Sequence, residues 1–195
     1  MPDKSESQKE GPFLLDIKEI RRRARENMMR GAVTTANKSD PRAVVRVLNE
    51  ALATEIVCVL RYKRHQYMAA GIDAIEVAEE FAQHAKEEQG HADMIAARIT
   101  QLDGAPNFNP EGLATRSHTE YVEGKTLTEM IAEDLVAERI AIETYSEIIR
   151  YLANNDPTTR VMMEQILAME EEHAEDMKTL LQKVGSDQHL AGHRA

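Results

Sequence analysis

The chain has 195 residues, 42% of them hydrophobic and 30% charged, with a net charge of -10 at pH 7 and one cysteine, Cys58. A lone cysteine excludes an internal disulfide, a CxxC redox pair and a cysteine-rich zinc site. The length suits one globular domain with a sizeable core, and the absence of a long apolar run or a hydrophobic leader behind a basic start leads us to expect a soluble, cytoplasmic protein with no membrane contact.

In chain order, the first segment (1–40) opens with a polar tail and continues as LLDIKEIRRRARENMMRG, where Leu14, Ile17, Ile20, Ala24 and Met28 can share one helical face. A short amphipathic helix, docked by that face with the Arg21–Arg25 run solvated, is expected. Residues 1–40 carry nine Lys/Arg against seven Asp/Glu, whereas the remaining 155 carry 15 against 27. So acidic a body attracts cations and makes nucleic acid an unlikely partner.

Four long helices follow, with no strand pattern between them. Asp40 and Asp156 each precede a proline, the N-cap and first-position device, and TLTE at Thr126–Glu129 is a capping box. Gly71 and Asp73 end one helix and begin the next. The spans expected are 41–70, 74–102, 126–153 and 157–183, each on the order of 40 to 45 Å long at 1.5 Å per residue. Val45, Leu48, Leu52, Val59 and Tyr62 form an apolar stripe on the first, and Leu127, Ile131, Leu135, Ile142, Tyr145 and Ile149 on the third. Two connections are short, which makes two antiparallel hairpins. The middle one, residues 103–125, is long enough to run the length of a bundle. The expected domains are 1–40 as tail and short helix, 41–183 as bundle, and 184–195 as a C-terminal tail.

Glu-x-x-His followed by Ala occurs twice, at Glu88–His91 and at Glu170–His173, each on the second helix of a hairpin. On the first helices a glutamate interrupts the apolar stripe at a matching distance: Glu55 lies 33 residues before Glu88, and Glu138 lies 32 before Glu170. Four carboxylates sharing a core without compensation would be prohibitively costly. Two divalent cations balance them, and two neutral imidazoles complete a mixed N/O donor set that suits Fe or Mn better than Cu(I) or structural Zn.

The pattern resembles the ferritin-like superfamily, and within it the bacterioferritin and Dps-like branch, over residues 41–183. LNEALATEIVCVLRY, EEQGHAD, QLDGAPN, EDLVAERIAIETY and ILAMEEEHAEDM carry the likeness. It implies an all-α ferritin-like four-helix bundle, two antiparallel hairpins joined by a long crossover with an extra N-terminal helix. It also implies a dimetal ferroxidase centre at Glu55, Glu88, His91, Glu138, Glu170 and His173, with Glu138 in a bridging position. Two Fe ions per subunit, replaceable by Mn or Zn, would be oxidised by O2 or H2O2 for storage or detoxification. A homo-oligomer is implied, a dimer and a cage of 12 or 24 subunits.

The chain departs from the family where the haem-ligating methionine of bacterioferritin would stand, because Gln89 occupies that place; haem is not expected. A rubredoxin module cannot be built from one cysteine. Yet Tyr62 and Tyr145 each follow a site glutamate by seven residues, which resembles rubrerythrin-like sites and keeps open a peroxidase or Mn/Fe oxidase with a fixed cofactor. A non-catalytic helical interaction module is the third reading. Among lesser candidates, Asp134 is placed to orient His91, His84 is a weak extra metal candidate on the face of Glu88, and Cys58 is expected as a small buried hydrophobe.

Overall fold

The computed structural model describes residues 13–69 and 74–192, with side chains described as far as 184. Six α-helices run α1 (Ile17–Arg23), α2 (Pro41–Met68), α3 (Ala74–Gln101), α4 (Leu113–Arg116), α5 (Leu127–Leu152) and α6 (Pro157–Gly192), and no strand occurs among the described residues. The long helices start where the caps predict. Asp40 accepts from the Arg42 amide, Thr126 from the Glu129 amide and Asp156 from the Thr159 amide, each satisfying one N–H that the first turn leaves free. The hinge at Gly71 and Asp73 and the polar tail 1–12 lie outside the described residues.

Three features depart from the expected organisation. α6 continues to Gly192 instead of ending at 183, because nothing in GSDQHLAG interrupts the backbone ladder as a proline would. α1 is a single two-turn helix whose apolar face is not buried among the described residues: none of its residues is buried, and Leu14 and Met28 are 84% and 74% exposed. Seven residues present too little apolar area to offset the cost of ordering a docked segment. Finally, Leu127, Leu135, Ile142 and Ile149 of the predicted α5 stripe are only half-buried, and the face that points inward carries Ile131, Asp134, Glu138, Ala141 and Tyr145.

α2 pairs with α3 and α5 with α6, and the hairpins meet through α2 against α5 and α3 against α6. The core falls into two apolar clusters. One gathers Leu48, Leu52, Ile95, Ile99, Ile148, Leu152, Met163 and Ile166; the other gathers Tyr62, Val77, Phe81, Met130, Ile131 and Met177. Each fully buried large side chain contributes about 1.5–3 kcal/mol. On every long helix the glutamates and histidines of interest lie between the residues of these two clusters, so the bundle carries an ionisable layer clamped by apolar ones.

The crossover is pinned to α2 at successive turns. Asn49 bonds the Ala105 carbonyl and the Asn107 amide, Thr54 accepts from the His118 amide, and Arg61 donates to the Glu120 carbonyl. Close approach requires glycine at residue 104, where a Cβ would stand 2.7 Å from both Val45 methyl carbons. Gly124, at φ +59°, makes the turn into α5, and a Cβ there would meet the Met130 amide nitrogen at 2.8 Å.

Candidate metal centre

Glu55 (α2), Glu88 and His91 (α3), Glu138 (α5), and Glu170 and His173 (α6) converge in the ionisable layer, each no more than 2% exposed. His91 Nδ1 stands 3.0 Å from Glu170, 3.4 Å from Glu55 and 3.5 Å from Glu88. His173 Nδ1 stands 3.5 Å from both Glu88 and Glu170. Two sets of donors form, Glu55–Glu88–His91–Glu170 and Glu88–Glu138–Glu170–His173, each with ligand atoms within 4.8 Å of one another.

Eight atoms of these residues are buried without a hydrogen-bond partner: one oxygen each of Glu55 and Glu138, both oxygens of Glu88 and Glu170, and both Nδ1 atoms. Buried polar atoms are rarely left unpaired. The orphans divide as the two sets do, four donors to each, with Glu88 and Glu170 giving one oxygen to either side. The two residues common to both groups, Glu88 and Glu170, are on α3 and α6. Glu138, expected to bridge, belongs to one set only and stands as the counterpart of Glu55. The reason is geometric: Glu88 and Glu170 lie between the two histidines, whereas Glu138 has its other oxygen tied to a tyrosine.

That tie is crossed between the halves. Tyr62 on α2 donates to Glu138 Oε1, and Tyr145 on α5 donates to Glu55 Oε1. Burial, then the neighbouring carboxylates, push both phenols well above their ordinary value, so both remain donors. Each tyrosine thereby turns the remaining oxygen of its glutamate toward the centre.

The electrostatics of the layer are those of acids and imidazoles packed together out of water. Burial, then repulsion from Glu170 and Glu88, raises Glu55 well above the carboxylate range, and burial with the same neighbours raises Glu138. Burial alone would raise Glu88, but its close polar contacts with Glu55, His173 and His91 outweigh it and hold Glu88 well below that range. Burial disfavours charge on His173, yet the adjacent Glu170 and Glu88 carboxylates prevail and push it up to about 11; His91 is raised in the same way by Glu170, Glu55 and Glu88. Divalent cations at these donors would supply the positive charge that the four carboxylates need.

Among the lesser candidates, Asp134 does not reach His91. Its oxygens bond Arg61 Nε at 2.7 Å and His65 Nδ1 at 2.8 Å, a buried group that ties α5 to α2 below the crossover. Buried Arg61 needs a full carboxylate partner, and that demand outranks the one-turn spacing to Glu138. The His91 Nε2 atom lies instead 3.3 Å from Met169 Sδ. The residue that orients a site histidine is Glu87, whose Oε2 accepts from His173 Nε2 at 3.0 Å while Gln83 holds its other oxygen. In the sequence Glu87 stands beside the first repeat, and nothing along the chain joins it to His173, 86 residues away. His84 is buried, with its ring stacked on His173 at 4.1 Å; burial and the His173 charge push it down to about 4. Cys58 is buried, and its thiol is raised well above the ordinary value. Gln89 is exposed and bonds Asp93.

A family model described as Ferritin-like domain matches residues 45–186. The chain belongs to the ferritin-like family. This ferritin-like chain is 33% identical to bacterioferritin of Mycobacterium leprae over 143 residues, covering 73% of the chain and 86% of the relative. A solved structure of a dodecameric thioferritin, the bacterioferritin-related protein from Bacteroides fragilis, matches with a TM-score of 0.74 and 30% identity, covering 78% of the chain and 92% of the other. Dps from Thermosynechococcus elongatus, at 21% identity and a TM-score of 0.68 over 72% of the chain and 90% of the other, shares the fold. No helix among the described residues is long and apolar enough to cross a membrane.

Proposed function

We propose that the chain is a ferroxidase of iron-storage type, which binds two Fe2+ in the bundle core and oxidises them. The observation that carries this reading is the division of eight orphaned buried donors into two four-atom sets with Glu88 and Glu170 common to both. Four carboxylates neutralise two Fe2+, and the donor mixture of carboxylate oxygen and imidazole suits that ion. Two Fe2+ give two electrons to O2, which with two protons becomes H2O2, or to H2O2, which with two protons becomes two waters. Each metal then gains a unit of charge that the four carboxylates no longer balance. This excess favours loss of protons from bound water and departure of the ferric product toward storage.

The names borne by relatives support the same reading: a bacterioferritin at 33% identity and a dodecameric thioferritin at 30%. By that likeness the assembly is a homo-oligomer of cage type. The test is stopped-flow Fe2+ oxidation on the assembled protein together with counting of iron after loading. Rapid oxidation lost in Glu170→Gln, with hundreds of irons held per assembly, is the expected result.

One feature favours a second reading. Tyrosines bonded to both unshared carboxylates resemble rubrerythrin-like centres, so a peroxidase or Mn/Fe oxidase with resident metals uses the same residues. About two metals per chain that stay bound through turnover would select it. A non-catalytic helical module leaves the eight orphaned donors without a purpose.

A further inference from the structure

The methionines of the described residues sort by place. Met130, Met163 and Met177 are buried in the two apolar clusters, and Met162 packs against one of them. Met28, Met29, Met68 and Met94 are exposed, Met29 at 98% and Met94 at 37%. Met169 belongs to neither group. It stands half-buried in the ionisable layer, next to Glu170 along α6, and its Sδ lies 3.3 Å from Nε2 of His91. The other ring nitrogen of His91, Nδ1, faces Glu170, Glu55 and Glu88 at 3.0, 3.4 and 3.5 Å. A single imidazole therefore separates this sulfur from the paired donors.

The opposite histidine is backed by different chemistry. Glu87 Oε2 meets His173 Nε2 at 3.0 Å. A carboxylate oxygen has nothing further to give an oxidant, whereas a thioether takes an oxygen atom from peroxide. One wall of the centre is thus inert and the other is oxidisable.

We infer that Met169 is a modification site, whose thioether is converted to the sulfoxide by peroxide produced at the centre. The inference rests on the ferroxidase reading, which supplies H2O2 as the two-electron product of O2. In the step, the sulfur gives a lone pair to one peroxide oxygen. The O–O bond breaks as the S–O bond forms, and the second oxygen leaves as water after taking the proton of the first. Sulfur is oxidised by two electrons and peroxide is reduced by two. Confinement favours Met169 over the exposed sulfurs: peroxide formed one ring away meets it within the same molecule, whereas Met28 and Met29 meet only peroxide diluted into solvent. Each event removes one peroxide and turns an apolar contact of His91 into a polar one, a change that sulfoxide reductases reverse.

The test is peptide mapping by mass spectrometry of the full-length protein after turnover with Fe2+ and O2. Catalase is present throughout to destroy peroxide that reaches solvent. Wild type and Glu170→Gln are compared, together with metal-free wild type given H2O2 alone. The expected result is Met169 sulfoxide at least about tenfold above that of Met28 and Met29 in turned-over wild type. The order reverses with added H2O2, and the Met169 mark is lost in Glu170→Gln. Rapid Fe2+ oxidation with Met169 modified no more than Met28 and Met29 overturns the inference and leaves the ferroxidase reading standing. Absence of rapid Fe2+ oxidation in wild type overturns that reading and the inference with it. The wild-type comparison decides the matter without the variant.

Discussion

Tyr62 and Glu138 lie 76 residues apart in opposite halves of the chain, and the phenol donates its proton to the carboxylate inside the core. The bond commits one oxygen of Glu138 and leaves the other buried without a hydrogen-bond partner. Tyr145 does the same for Glu55. Each half of the bundle therefore orients a ligand of the other. Tyr62→Phe removes one donor without changing shape, so the affinity of the ion held by Glu138 is expected to fall about 10- to 100-fold, with the Glu55 side little affected. Competition between Co2+ and a chelator of known affinity would measure this; equal weakening of both ions in the single variant would contradict it.

Shared and unshared carboxylates should behave differently. Glu170→Gln takes a donor from both sets, so both ions should be weakened together and initial Fe2+ oxidation should fall by at least about 100-fold, roughly 2.7 kcal/mol of barrier. Glu138→Gln takes a donor from one set only. Its metal-loaded form should keep one tight ion and lose the second. Stoichiometry by elemental analysis after desalting separates the two, and an identical loss in both variants would refute the sharing.

Metal loading should release protons. His173 is held up to about 11, and Glu55 and Glu138 are raised well above the carboxylate range. At pH 7 His173 holds a proton that an incoming cation must displace, so affinity rises as pH rises and falls in acid. Calorimetry at pH 7 in two buffers of different ionisation enthalpy should show proton release on loading. A heat independent of the buffer would count against the arrangement.

Asp156 provides a stability test away from the centre. It caps α6 through the Thr159 amide and hydroxyl and accepts from Arg98 Nη2 at 2.9 Å, tying α3 to α6. Burial would raise its pKa, but the Thr159 hydrogen bonds and the Arg98 charge hold it below the ordinary aspartate value. A depressed carboxylate stabilises the fold above its unfolded pKa and loses that contribution as pH falls through its folded pKa. Asp156→Ala should therefore cost about 3 kcal/mol at pH 7, where it strands a buried guanidinium. The difference should shrink on acidification below the ordinary aspartate range. Urea melts of both proteins across that range would show it, and a gap that stays constant in acid would rule out the ionic origin.

Much of the centre was legible in the sequence because helices impose a short period. Glu-x-x-His places both donors on one face, and its repetition, with Glu55 and Glu138 at matching distances, needs no coordinates to be seen. The partners of Asp134 were not legible in the same way: Arg61 and His65 lie on another helix, and sequence spacing ranks only neighbours along one helix. Glu87 was hidden for the same reason, since its partner His173 is 86 residues away.

By itself the sequence determined the helical class, the starts of α2, α5 and α6, the hairpin pairing and which six side chains would meet in the core. Caps, period and connection length are local properties of the backbone. Only the tertiary structure decided that Glu88 and Glu170 fall in both four-residue groups while Glu138 falls in one, that the tyrosines cross between halves, and that His84 faces two acids. A carboxylate has two oxygens and a rotatable stem. Which oxygen turns to which partner is settled by the side chains of the opposing helices, once the two apolar clusters have locked those helices in register.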